Sequence, residues 1–119
     1  MIKTIKITDK NFNMKSSAFT PFAYKNFTGN SLLKDLGKFK DLQLKEIQEN
    51  LDIEIAETII DKILKVSYVM IEECDKSQVS NYEEFLKQLQ GSLFEDVSWI
   101  GEVIELAITP FSTGKIKTS

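Results

Sequence analysis

From Asp52 onward, apolar or small residues recur at alternating steps of three and four: Ile53, Ala56, Ile60, Ile63, Ser67, Met70 and Cys74. That spacing draws one continuous stripe along about six helical turns, with Asp52 as its N-cap. A second stripe, Ile55, Ile59, Val66 and Val69, runs beside it. A surface helix usually shows an apolar arc of roughly 100° and solvates the rest. Two stripes are wider than that, so either this helix lies at the centre of the fold or a partner covers one side. Ile55, Ile59, Val66 and Val69 are therefore the candidates for packing between helices or subunits.

The rest of the chain arranges itself around that helix as a small, mainly α domain with a short N-terminal β-hairpin. With 119 residues, 42% of them hydrophobic, the chain suits a single domain with a modest core. Ile2 to Ile7 is rich in Ile and Thr, and Phe12, Met14 and Ser16 alternate with a period of two. Thr8 to Asn11 lies between them as a turn, so residues 1–18 predict a hairpin or arm. Thr20-Pro21 predicts an N-cap and first helical residue, and Gly29 a left-handed stop. Ser31 caps a second helix along Leu32, Leu33, Leu36 and Phe39, with Leu42, Leu44, Ile47 and Leu51 extending it or forming a separate piece.

Beyond Cys74, Ser80 with Glu83, or Asn81 with Glu84, offers a capping box for a helix from Asn81 to Gln90. Gly91-Ser92 breaks it. A last helix from Phe94 or Glu95 to Ile108 carries Val97, Ile100, Val103, Ile104 and Ala107, with Trp99 flanking, and ends at Thr109-Pro110. Residues 110–119 have no core pattern and are expected to form a flexible tail.

Composition argues against catalysis. The chain has no His and no Arg, which removes the usual proton shuttle and the bidentate phosphate clamp. Cys74 stands alone, so neither an intramolecular disulfide nor a cysteine metal site is available, and a reducing intracellular setting is the natural one. The carboxylates Glu72, Glu73 and Asp75, Glu83 and Glu84, and Glu57 and Asp61 are expected to be solvated faces, with Asp61 to Lys65 an ordinary helical ion pair. No cofactor, metal or catalytic residue is expected. The start lacks the apolar run of a signal peptide, and no window approaches the ~20 apolar residues of a bilayer span, so a cytosolic product with no membrane partner is expected.

Charge is uneven along the chain. Residues 1–45 carry nine Lys against Asp9, Asp35 and Asp41, while residues 46–119 carry six Lys against fifteen acids. Opposite patches favour head-to-tail contact between copies, so self-association into dimers, rings or spirals is expected. The Lys-rich half also admits a small DNA-binding regulator, with 21–28 and 31–39 as a helix-turn-helix. The absence of Arg and the apolar second helix argue against nucleic acid.

Three blocks carry a family resemblance. The first is Ser16 to Ala18, Thr20-Pro21, Phe22, Tyr24, Phe27, Gly29 and Leu32 to Leu36; the second holds Tyr68 and Met70 at the end of the central helix; the third is Tyr82 to Leu86. In that order they resemble the lactococcal-phage-like tail assembly chaperones of long-tailed (siphovirus) bacteriophages of Gram-positive hosts. The all-Lys, acidic, Phe-rich composition departs from the family. The resemblance implies a non-catalytic helical protein of the host cytoplasm, absent from the mature virion, many copies of which coat and solubilise the tape measure protein. It makes Phe19, Phe22, Tyr24 and Phe27 the candidates for contact with client or neighbour. It further implies a ribosomal frameshift near the end of the gene, adding a C-terminal extension that recruits tail tube protein; Gly114-Lys115 is the candidate slippage site.

Overall fold

The computed structural model describes residues 1–40, 53–93 and 96–111. It opens on an antiparallel hairpin of β1 (Ile2–Ile7) and β2 (Lys10–Lys15), paired from Ile2 with Lys15 to Ile7 with Lys10 around a two-residue turn at Thr8 and Asp9. The alternation has a clear outcome: Ile5, Ile7, Phe12 and Met14 are buried, and Thr4, Lys6, Asn11 and Asn13 are exposed. A lone two-stranded hairpin is marginal in water. Here its apolar face packs on helices, β2 on the long central helix and β1 on the last one.

Helix α1 spans Thr20–Thr28 and α2 spans Leu32–Lys40. Thr20 is not the N-cap expected from sequence; it is already helical, and the cap position, Phe19, makes no side-chain cap bond. The Thr20 hydroxyl is engaged elsewhere, accepting from the Ser17 N–H at 2.9 Å and donating to Glu73 at 2.6 Å. Pro21 lies in the first turn, and Gly29 closes the helix at φ 80°, a conformation that costs glycine little. Ser31 caps α2 through the Lys34 N–H at 3.3 Å. Leu32, Leu36 and Phe39 face inward. The Asp52 cap and the residues Leu42, Leu44, Ile47 and Leu51 lie outside the described residues.

Helix α3 (Ile53–Cys74) is the centre of the molecule. Six consecutive residues, Val66 to Ile71, are buried, which happens only when neighbours cover a helix all round. The hairpin, α1, α2 and the helices that follow supply that cover. A 3-10 turn at Lys76–Gln78 then leads to α4 (Tyr82–Gln88), where Asn81, not Ser80, is the cap and accepts the Glu84 N–H at 2.9 Å. Gln78 seals the outer edge of β2. Its carboxamide accepts from the Asn13 N–H and donates to the Asn13 carbonyl, both at 2.9 Å, as a neighbouring strand would.

The last helix, α5 (Ser98–Ile108), starts later than its apolar pattern suggests. Asp96 accepts the Ser98 N–H at 2.9 Å just ahead of it. Trp99, beside the apolar stripe of this helix, is itself buried, with its ring N–H on the Leu93 carbonyl at 3.2 Å. A 3-10 turn, Thr109–Phe111, follows Ile108.

Candidate interaction surface

The sequence singles out four aromatic residues of one short segment, and the fold separates them. Helix α1 is nine residues long and leans on α3 and α2, so only part of its circumference turns inward. Tyr24 takes the inward position. It is fully buried, and its hydroxyl donates to Asp35 of α2 at 2.7 Å, while Lys62 of α3 holds the other Asp35 oxygen at 3.3 Å. Tyr24 is therefore a core residue and not a contact residue. Burial and the Asp35 carboxylate together push its hydroxyl far above the ordinary tyrosine value.

Phe19 and Phe22, one helical turn apart, point outward and keep 58% and 67% of their area exposed. Phe27 is intermediate. It is 41% exposed, and its ring packs on Tyr68 and Tyr82 at centroid distances of 5.2 and 5.5 Å, at the rim of an aromatic cluster that continues to Phe85 and Phe12. Of the candidate packing residues, Ile59, Val66 and Val69 lie in the chain's own core; the side chain of Ile55 lies outside the described residues.

Helix α1 is thus a ridge between two depressions. On the α2 side, Pro21, Phe22, Lys25, Leu32, Leu33 and Phe111 line a shallow apolar recess. Leu33 and Phe111 belong to this surface although sequence reasoning missed them as surface groups. Leu33 falls one residue off the Leu32, Leu36, Phe39 stripe, and that offset was the available signal. On the α3 side lies a groove of about 330 Å³. Phe19, Ala23, Phe27 and Val69 form its apolar part, and Glu72 and Glu73 stand on its rim.

The rim carboxylates are not the freely solvated pair expected from sequence. Both are half-buried: Glu73 accepts the hydroxyls of Ser17 and Thr20, and Glu72 accepts the Tyr68 hydroxyl at 3.0 Å. Burial and Glu72 push Tyr68 up to about 12, and burial with Asp61 raises Tyr82 further. These phenols are donors to carboxylates, and their high pKa values make them poor nucleophiles. The Asp61–Lys65 pair forms at 3.0 Å, as the helical spacing predicts. Among the described residues, no group of three or more potential metal ligands converges, and no helix is long and apolar enough to cross a membrane. Comparison with protein-family models, with curated proteins and with solved structures finds no match to the chain.

Proposed function

We propose that the protein is a tail assembly chaperone of a long-tailed bacteriophage, acting in the host cytoplasm to coat the tape measure protein and keep it soluble until tail tube subunits displace it. The observation that carries this reading is the outward pair Phe19 and Phe22 with Leu33 and Phe111 beside them, large apolar side chains that the fold leaves without cover. Exposed apolar surface of this kind on a small protein marks contact with another macromolecule. Its recesses are shallow. Each contact is then individually weak, and many copies along one long helical client hold through multivalency yet come off when tube subunits compete.

The blocks that carry the family resemblance also meet in space. Tyr24 bonds Asp35 between the two halves of the first block, and Tyr68 and Tyr82 of the other two meet edge to face at 5.6 Å. Recruitment of tail tube protein through a frameshifted extension belongs to the same proposal.

Co-expression with the tape measure protein of the same phage tests it. The wild type should raise the soluble fraction of the client, and Phe22→Asp should lower that gain while keeping wild-type helical circular dichroism, because the ring is exposed. No gain with the wild type overturns the function. Tight, salt-sensitive binding to duplex DNA in its place would transfer the protein to the regulator reading.

A further inference from the structure

On the premise of the chaperone reading, we infer that the recess between α1 and α2 receives an acidic amphipathic helix of the client. The apolar stripe of that helix lies against Phe22, Leu33 and Phe111, and its carboxylates face Lys25, Lys34 and Lys38. The recess measures about 190 Å³. Small-molecule pockets run to roughly 300–1,000 Å³, so this one suits a side chain or two of a larger partner. Phe22 and Leu33 line it with more than half of their own area exposed, and Phe111 joins them from the far end of the chain.

Charge selects that partner. From Ser16 to Lys40 the chain has four Lys and a single acid, Asp35. Asp35 is satisfied inside the fold, one oxygen by Tyr24 and the other by Lys62. The outer side of the two helices keeps Lys25 on the recess and Lys34 and Lys38 one turn apart on α2. All three are exposed, and none is in an ion pair among the described residues. No acid lines the recess among the described residues. The groove between α1 and α3 differs: Glu72, Glu73 and Lys76 share its rim, which therefore selects neither sign. Apolar walls with unpaired cations beside them match a helix whose hydrophobic stripe is flanked by Asp or Glu. A flat bilayer cannot fill a recess, and a chain without Arg has no bidentate grip on phosphate.

Two labelled synthetic helices provide the test, read by fluorescence anisotropy. One has a Leu stripe flanked by Glu, and the other has Lys in place of every Glu. The wild-type protein should bind the Glu helix about tenfold more tightly than the Lys helix, the sum of three exposed ion pairs, and the gap should close in high salt. The triple variant Lys25→Glu, Lys34→Glu, Lys38→Glu should reverse the preference, whereas Leu33→Ala should weaken both helices alike. If the triple variant loses its helical circular dichroism, the same three Lys→Gln changes take its place and should abolish the preference. Equal binding of the two helices overturns the inference, as does a preference that the charge variants leave unmoved. Binding to anionic phosphatidylglycerol vesicles with neither helix bound also overturns it and assigns the face to a membrane. Co-expression separates this inference from its premise. Undiminished solubilisation of the tape measure protein by the triple variant overturns the acidic client segment and leaves the chaperone standing. No solubilisation by the wild type, with the Glu preference intact, overturns the chaperone and leaves the acidic partner.

Discussion

Tyr24, Tyr68 and Tyr82 each donate a phenolic proton to a carboxylate, Asp35, Glu72 and Asp61 respectively. Burial is the larger cause of their raised pKa values, and the carboxylate adds to it. In the unfolded chain these groups ionise near the ordinary value of 10.0, whereas in the fold they stay protonated above it. The unfolded state therefore binds fewer protons in that range, and stability falls as pH rises. The stabilisation is complete below pH 10.0 and is lost progressively through about 12, where Tyr68 titrates. In an alkaline titration, phenolate absorbance from the more deeply buried Tyr24 and Tyr82 should appear only together with loss of helical circular dichroism. Full phenolate formation with helix intact would refute this. Asp35, an acid at 3% exposure on an otherwise amphipathic helix, is held in the core by Tyr24 on one oxygen and Lys62 on the other.

At the scale of elements, the hairpin contains a local conflict. Thr8 sits at φ 58°, the one non-glycine residue with positive φ among those described, at the first central position of a two-residue turn. That position favours glycine, and a β-branched residue there is strained. Thr8→Gly should raise unfolding stability by about 1 kcal/mol, since the left-handed region costs an L-residue roughly that much. A higher denaturation midpoint at unchanged slope is the expected reading. The helices obey simpler rules. Asn81 prevails over Ser80 as the cap of α4 because its carboxamide oxygen reaches the Glu84 N–H while its own backbone is extended.

For the whole molecule, the division between structural and available aromatics is sharp. Phe85 is fully buried and its ring meets Phe12 edge to face at 5.3 Å, joining α4 to the hairpin. Phe85→Ala should cost about 3–5 kcal/mol. Phe19→Ala, on the exposed end of α1, should stay within about 0.5 kcal/mol. Urea unfolding of the two variants checks both. A large loss from Phe19→Ala would show that its ring supports the fold and would remove it from the interaction surface.

Much of this was legible in the chain alone. The period of α3, the alternation of the hairpin, Gly29 as a helix stop and the Asp61–Lys65 pair follow from short-range geometry, because steps of two, three and four residues decide which side chains share a face. The breadth of the apolar face on α3 pointed either to a central helix or to a covering partner, and buried residues all round its second half answer in favour of the first. Sequence could not sort Phe19, Phe22, Tyr24 and Phe27, since all four are aromatic residues on one short helix. Which of them is buried depends on how α1 leans on α2 and α3. Equally hidden were the clasp of Gln78 on β2 and the partners of Glu73, contacts that join residues far apart in the chain, and the core position of Trp99, which packing between elements decides. Local periodicity determined the elements; the faces left open to a partner were decided only by packing between elements, which no single segment encodes.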